Sequence, residues 1–278
     1  MVESVEFTDI RVTEGTIADV ARILEGDRFV KGPTLEDFEN RFADACGVEH
    51  AVGVSSGTAA LFLALRSAGI GAGDAVFVPG HTFFASASPI LELGAEPVFV
   101  DVNPKTYTMD PWALRERVAA AENPAAVIPV HIYGRIADME TIREVAAEHD
   151  LFVLEDACQA HFATRSGEVA GGIGDAGAFS FYPSKNMTVG GDGGMVTTDD
   201  PELAERIRAF RNHGRDDAGT HRELGLNYRL DETNAAVGLR QLERIREWNA
   251  ARNEAARAYT ERLSSIEEVT TPVRPADG

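Results

Sequence analysis

Residues 179–194 read FSFYPSKNMTVGGDGG and place Lys185 between an aromatic stretch and a run of glycines. Lysine is scarce in this chain: of its 26 basic residues only Lys31, Lys105 and Lys185 are lysines. An ε-amine held in a desolvated pocket becomes a nucleophile that forms Schiff bases with carbonyl compounds. The alternative is a surface lysine beside a hairpin turn built by the glycine-rich residues 190–194. The scarcity of lysine elsewhere favours the nucleophile.

A second candidate segment is Ser55-Ser56-Gly57-Thr58, which lies between a short apolar run and a helical pattern. Backbone N–H groups at a helix N-terminus bind phosphate, and here Gly57 would permit close approach while Thr58 would add a hydroxyl. A serine that only caps the helix explains these residues equally well. The segment is not a Walker A motif, because no Gly-Lys-Ser/Thr follows, and no GxGxxG follows the first strand to indicate a dinucleotide-binding protein.

Two further side chains follow predicted strands. Phe83 comes after the apolar residues 75–80 and could stack on a flat cofactor, although aromatic residues in such positions more often belong to the core. Asp156 ends the run LFVLED, where a carboxylate after apolar residues needs a partner; it could hold a protonated ring nitrogen or cap a turn. A phosphate cradle, a stacking aromatic, an acid and a lysine together are the set that pyridoxal phosphate (PLP) requires.

The elements that must position these residues alternate between apolar segments and helical patterns. The predicted strands are residues 51–56, 75–80, 97–102, 125–134, 151–157, 177–182 and 193–199. The predicted helices are residues 36–47, 57–69, 86–94, 112–122, 137–150 and 201–214, followed by one long helix over residues 231–263. This alternation predicts an α/β fold with a mainly parallel central sheet covered by helices on both faces. Ligands bind at the carboxyl ends of the strands in such sheets, where the candidate segments lie.

The chain of 278 residues carries a formal net charge of −19, which argues against a nucleic-acid partner because phosphates repel such a surface. The acidic excess with so little lysine favours a halophilic protein over an ordinary acidic cytoplasmic one. No apolar run approaches the ~20 residues of a membrane span and residues 1–10 are no secretory signal, so we predict a cytoplasmic protein without a membrane partner. Cys46 and Cys158 lack a CxxC partner, so neither a disulfide framework nor a metal site is expected.

Several motifs give the sequence a close resemblance to a known family. They are SSGTAAL, GHTFFASAS, EDACQAHFA, FSFYPSKNMTVGGDGGMVTT, RNHG and GLNYRLDETNAAVG, in this order within residues 27–248. The chain resembles the DegT/StrS family of PLP-dependent sugar aminotransferases. This resemblance implies a fold-type I PLP-dependent transferase, an α/β/α sandwich that forms a homodimer with composite active sites. It also implies an amino-acid donor, glutamate, and a nucleotide-linked keto sugar as acceptor, in cell-surface polysaccharide biosynthesis.

The resemblance assigns the catalytic roles to Lys185 and Asp156. Lys185 matches the lysine that holds the cofactor as a Schiff base, and Asp156 matches the acid that pairs with the pyridine nitrogen. Gln159 matches the residue beside the 3-hydroxyl of the cofactor, and Phe83 matches the aromatic that stacks on its ring. Related proteins with histidine at the lysine position are sugar dehydratases, so Lys185 favours the aminotransferase branch.

The cofactor phosphate is expected among four residues that match family positions. Gly57, Thr58 and Ser180 match the phosphate site of the same chain, whereas Asn227 matches a contact that reaches in from the partner subunit. The resemblance therefore predicts a site that only a homodimer completes.

The resemblance also divides the chain into two parts. Residues 1–240 are expected to form the PLP-binding large domain with an N-terminal segment, and residues 241–278 a linking helix and the start of a small domain. Family members continue beyond this point, so the C-terminal small domain is expected to be truncated and to leave an exposed apolar face. The alternative function is a catalytically impaired or regulatory DegT-like protein that binds PLP, against which the intact Lys185 and Asp156 argue.

Overall fold

In the computed structural model of the chain, residues 10–216 and 218–274 are described, and they contain two β-sheets. The strands are β1 (His50–Val54), β2 (Ala75–Pro79), β3 (Glu96–Val100), β4 (Pro124–Val127), β5 (Phe152–Asp156), β6 (Thr164–Arg165), β7 (Glu168–Val169), β8 (Ala176–Ser180) and β9 (Gly194–Thr198). The large sheet has the order β1-β9-β8-β5-β4-β2-β3, and β6 pairs with β7 separately. Strands β3, β2, β4, β5 and β8 run parallel, while β9 is antiparallel to both β8 and β1. The predicted mainly parallel sheet is confirmed.

Helices separate most of these strands within the described ranges. The α-helices are α1 (Glu14–Leu24), α2 (Pro33–Cys46), α3 (Gly57–Ser67), α4 (Ser88–Glu92), α5 (Pro111–Ala120), α6 (Met139–Glu148), α7 (Pro201–Phe210), α8 (Glu232–Leu242) and α9 (Ile245–Leu263). Short 3₁₀ turns lie at Phe84–Ser86 and Ile132–Gly134. In this described part of the chain, no helix combines the length and apolar character that crossing a membrane requires.

Buried apolar side chains cover both faces of the large sheet. On one face, Phe42 of α2 meets Phe179 of β8 with ring centroids 4.9 Å apart. The preceding residue of β8, Ala178, belongs to a second buried cluster that includes Leu61 of α3. Because neighbouring residues of a strand point to opposite faces, these two clusters lie on opposite sides of the sheet. The result is the expected α/β/α arrangement.

The strand predicted at residues 125–134 is shorter than expected. β4 ends at Val127, shortly before Pro129, which has no N–H to donate to a neighbouring strand. Beyond it an isolated parallel bridge pairs Val130 with Asp156. Pro129 and His131 still flank the end of β5, because the Pro129 carbonyl accepts from the Asp156 N–H at 2.9 Å and the His131 N–H donates to the Asp156 carbonyl at 3.0 Å. Residues 129–134 therefore lie at the carboxyl edge of the sheet, beside the end of β5.

The single long helix predicted for residues 231–263 was wrong. Two helices, α8 and α9, meet at residues 243–244. α8 packs closely on α2, since a Cβ at Gly238 would lie 2.6 Å from the ring of Phe38. α9 buries only Ile245. The start of α9 still contacts the core, since the Asn249 side chain donates to the His161 carbonyl at 2.9 Å, but most of its residues from 250 onward are exposed.

Helix α2 receives its N-terminal cap from a distant helix. Its N-cap residue Gly32 has no side chain, and Glu232 of α8 supplies the acceptor instead. The Glu232 carboxylate is 1% exposed and accepts from the backbone N–H groups of Gly32 at 2.8 Å, Thr34 at 3.0 Å and Leu35 at 3.3 Å. These bonds satisfy amides that helical hydrogen bonds leave without a partner, and they join α8 to α2.

Candidate active site

The predicted acid, Asp156, is the last residue of β5 and is buried. Its Oδ2 accepts a hydrogen bond from the Ser86 hydroxyl at 2.6 Å, and its Oδ1 accepts one from the Cys158 backbone N–H at 3.2 Å. Ser86 lies in the 3₁₀ turn that follows Phe83, so the acid is linked to the segment that carries the predicted stacking ring. A carboxylate held by two donors keeps lone pairs for a further, cationic donor.

Lys185 lies in residues 181–193, which connect the antiparallel strands β8 and β9. Its backbone N–H donates to the Tyr182 carbonyl at 2.8 Å, and the residue is half-buried. Burial raises the pKa of the Cys158 thiol well above its ordinary value and the Asp156 charge raises it further, whereas the Lys185 ammonium opposes the rise. The charges of the lysine and the acid are therefore both felt at Cys158, just past the end of β5.

His161 is a buried residue near the lysine that the sequence did not single out. Its Nε2–H donates to the Ser180 carbonyl at 2.9 Å, and its ring lies 5.5 Å from that of Phe179 between centroids. Burial lowers the pKa of His161 to about 3, and the Lys185 charge contributes to the lowering. His161 is therefore a neutral imidazole that supports the end of β8, where Ser180 lies.

The residues predicted to hold phosphate meet at the N-terminus of α3. Gly57 is the first residue of α3, and a Cβ there would lie 2.6 Å from the Cβ of Ser180, so only glycine lets the helix approach β8 this closely. Ser56 caps the helix by accepting from the Ala59 N–H at 3.1 Å. Thr58 is exposed. Ser56 is therefore a helix cap, as the alternative interpretation predicted. The backbone N–H groups at the N-terminus of α3, beside Ser180, still suit an anion.

Phe83 and Gln159 lie at the same edge of the sheet. Phe83 is 71% exposed, so the alternative of a core aromatic is wrong. Gln159 lies in the turn after Asp156, and its Oε1 accepts from the Tyr133 N–H at 2.7 Å. That bond holds Tyr133 in the left-handed region, with a φ of 57°, in the turn after β4. The loops after β2, β4 and β5 therefore converge here.

Asn227 does not join this group within the described residues. It is exposed and pairs through the backbone with Asn212. In residues 10–216 and 218–274 its side chain makes no hydrogen bond to Gly57, Asp156 or Lys185. Asn227 therefore lies apart from the other predicted site residues of the same chain.

A second buried carboxylate, Glu155, was missed by the sequence reasoning. It precedes Asp156 in β5 and is 0% exposed. Its oxygens accept from His131 Nε2 at 2.8 Å and from the backbone N–H groups of Gly171 at 2.9 Å, Ile173 at 2.7 Å and Gly174 at 2.8 Å. Burial opposes the charged form, but His131 and the amides outweigh it and hold the pKa of Glu155 below its ordinary value. The available signal was two adjacent acids in an apolar strand, since each faces its own side and needs its own partner.

The residues at this edge fit PLP. The cradle at Gly57, which a Cβ would fill, suits a phosphate at a helix N-terminus, and the buried Asp156 carboxylate suits a protonated pyridine nitrogen. The Lys185 amine suits the cofactor aldehyde. A lysine and an acid at the carboxyl edge of a mainly parallel sheet agree with the fold-type I PLP-dependent class that the sequence resemblance implied.

Comparison with known proteins gives the family. The profile of the DegT/DnrJ/EryC1/StrS aminotransferase family matches residues 11–277. The chain is 45% identical over 262 residues to dTDP-3-amino-3,4,6-trideoxy-alpha-D-glucose transaminase of Streptomyces venezuelae. The aligned residues are 94% of this chain and 69% of that relative. It is 43% identical over 244 residues to GDP-perosamine synthase of Caulobacter vibrioides. Here the aligned residues are 87% of this chain and 65% of the relative.

A solved structure agrees with this comparison. The crystal structure of S. venezuelae DesV in complex with a ketimine intermediate superposes with a TM-score of 0.91 at 44% identity, over 94% of this chain and 70% of that one. The chain belongs to the DegT/DnrJ/EryC1/StrS aminotransferase family. It is a PLP-dependent aminotransferase, as the motifs predicted, and its fold-type I architecture is confirmed.

Proposed function

We propose that this aminotransferase moves an amino group from glutamate to a keto sugar linked to a nucleotide. The observation that carries the proposal is that a half-buried Lys185 and a buried Asp156, which Ser86 holds in place, both act on Cys158 at one edge of the sheet. The names of the two relatives above support the acceptor class, since one concerns a dTDP-linked amino sugar and the other GDP-perosamine.

The chain's own residues divide the chemistry between them. When bound, PLP supplies an electron sink for the bonds at the substrate α-carbon. Lys185 would hold the cofactor through its ε-amine and, once free, would serve as the base and acid that moves a proton at the substrate α-carbon. Asp156 would hold the ring nitrogen of the cofactor in its protonated form, because a carboxylate favours a nearby cation. Phe83 would stack on the cofactor ring, and Gln159 would lie beside its 3-hydroxyl. The same residues would serve the half-reaction on the keto sugar, which is the reverse of the first.

We assign the cofactor phosphate to Gly57, Thr58 and Ser180, where the amides and the dipole of α3 favour an anion. Asn227 would add a contact from a second copy of the chain, so the proposed functional unit is a homodimer. Several large apolar side chains that a dimer could cover support this: Phe84 is 71% exposed, Leu91 56%, Phe99 53% and Trp112 75%. Exposed apolar surface is typical of protein interfaces.

The division of the chain and its cellular setting are further proposals. The turn at residues 243–244, where α9 leaves the surface that α8 follows, supports a large domain over residues 1–240 and a linking helix after it. A net charge of −19 with three lysines supports the cytoplasm of a halophilic cell as the setting.

The experiment is an absorbance titration of the purified chain with PLP in high salt, before and after addition of glutamate. We predict a band near the edge of the visible range that glutamate shifts. Lys185→Ala should lose this band, and the rate of amino transfer should fall at least about a thousandfold, because both the covalent partner and the acid–base group are gone. Lys105→Ala is the matched control, since it removes an exposed lysine and should change neither readout.

Two outcomes separate the candidate functions. A Lys185→Ala variant that still transferred amino groups from glutamate would contradict the proposed mechanism. A wild-type band that glutamate leaves unchanged would favour the regulatory alternative, in which the chain binds PLP without turnover.

A further inference from the structure

The Glu155 carboxylate and the His131 imidazole form a fully buried pair on the side of β5 away from Asp156. Both side chains are 0% exposed, and the His131 Nε2 lies 2.8 Å from a Glu155 oxygen. The other ring nitrogen, Nδ1, accepts from the Ala137 backbone N–H at 3.2 Å. Since Nδ1 accepts, the ring proton is on Nε2 and is donated to Glu155. The pair therefore has one orientation and one tautomer.

Glu155 and Asp156 are consecutive strand residues, so their side chains point to opposite faces. Glu155 binds the backbone of residues 171–174 and His131, whereas Asp156 binds Ser86 on the other side. Glu155 therefore cannot reach a cofactor that Asp156 contacts. Any effect of Glu155 on the cofactor must pass through the backbone that the two acids share.

His131 provides that connection. Its side chain donates to Glu155, and its backbone N–H donates to the carbonyl of Asp156 at 3.0 Å. The backbone N–H of Asp156 in turn donates to the Pro129 carbonyl at 2.9 Å. The last residue of β5 thus bonds to the segment after β4, and the His131–Glu155 hydrogen bond anchors the side chain of that same segment.

We propose that Glu155 and His131 are positioning residues for Asp156, a role that rests on the cofactor site proposed above: they fix the strand end that carries the Asp156 carboxylate and so hold this carboxylate on the ring nitrogen of PLP. A buried carboxylate beside an imidazole in this place costs desolvation that an apolar pair would not. In return, a carboxylate with four donors makes short, directional bonds that apolar contacts cannot provide. Directional fixing is what an acid that must meet one ring nitrogen requires.

The test compares Glu155→Gln with Glu232→Gln. Both changes remove the charge of a buried carboxylate that accepts from three backbone N–H groups, but Glu232 caps α2 and has no bond to residues 129–131 or to Asp156. The readouts are the thermal midpoint Tm, the Kd for PLP, and the ¹⁵N chemical shift of PLP labelled at its ring nitrogen, which reports whether that nitrogen is protonated.

We expect both variants to lower Tm, while only Glu155→Gln weakens PLP binding, by about tenfold, the effect of one hydrogen bond to a charged group. In Glu155→Gln the ¹⁵N shift should move toward that of Asp156→Asn. His131→Gln keeps an N–H directed at Glu155 and should retain more PLP affinity than His131→Leu. If Glu155→Gln does not fold, the comparison of PLP affinity between His131→Gln and His131→Leu tests the proposal instead.

The outcomes distinguish this inference from the proposed site. If Glu155→Gln and Glu232→Gln change the Kd equally and leave the ¹⁵N shift at the wild-type value, Glu155 is only structural and the inference is overturned. If Asp156→Asn itself leaves the Kd and the ¹⁵N shift unchanged, the proposed cofactor site is wrong and the inference is overturned with it.

Discussion

The Cβ that Gly57 lacks would lie 2.6 Å from the Cβ of Ser180 and 3.2 Å from its Cα. Neither atom is the end of a flexible side chain, so an added methyl group would push the N-terminus of α3 away from β8. We predict that Gly57→Ala weakens PLP binding by about tenfold or more, because the helix amides would no longer meet the cofactor phosphate in the correct position. An absorbance titration with PLP measures the change.

The control at the residue scale is Gly71→Ala. A Cβ at Gly71 has no atom within 4 Å, and this glycine does not have a left-handed φ. The variant should therefore bind PLP as the wild type does. If Gly57→Ala also kept the wild-type affinity, the phosphate would have to bind elsewhere than the N-terminus of α3.

At the scale of elements, Glu232 of α8 caps α2 from 200 positions away in the sequence. Truncation of this side chain would leave three backbone N–H groups in the first turn of α2 without their acceptor. We predict that Glu232→Ala lowers the free energy of unfolding by about 3 kcal/mol, at about 1 kcal/mol for each amide. Urea denaturation measures this difference.

Glu36→Ala is the matched control for this prediction. Glu36 is an exposed acidic residue in the first turn of α2. Its negative charge stabilises the helix by about 0.5 kcal/mol through the helix dipole, so Glu36→Ala should lower the free energy of unfolding by only that amount. Equal losses of stability in the two variants would mean that the bonds from α8 do not hold α2 in place.

The whole molecule carries a formal net charge of −19, and like charges repel most strongly in the compact folded state. Raising KCl from about 0.1 M to about 1 M shortens the Debye length from ~10 Å to ~3 Å and screens this repulsion. We predict that Tm rises by about 5 °C over this range, which corresponds to a gain of roughly 3 kcal/mol for a chain of this size. A thermal melt followed by circular dichroism measures it.

The same melts near pH 4.7, the isoelectric point, are the control for the salt prediction. There the net charge is close to zero, so added KCl should raise Tm by less. A Tm that instead fell with salt at neutral pH would mean that ion pairs such as Arg240 with Asp19, 2.7 Å apart, outweigh the repulsion, and it would contradict the halophilic proposal.

Several expectations depended only on local signals, and these were the successful ones. Alternating apolar and helical segments predicted the mainly parallel sheet, and residue types in short motifs predicted the aminotransferase class and its cofactor. The failures came where packing ends an element. Periodicity carried the predicted strand through residue 134, although β4 ends at Val127, and it joined α8 to α9 across residues 243–244.

By itself the sequence determined the family and the fold class and indicated the lysine and acid that we propose for catalysis, because these signals are carried by residues close together in the chain. Only the tertiary structure decided which groups meet. Ser86 binds Asp156 across 70 positions, and Glu155 finds its four donors in two separate segments. The physical reason is that a hydrogen bond between distant residues forms only where the packing of whole elements brings donor and acceptor together, and no local pattern encodes that position.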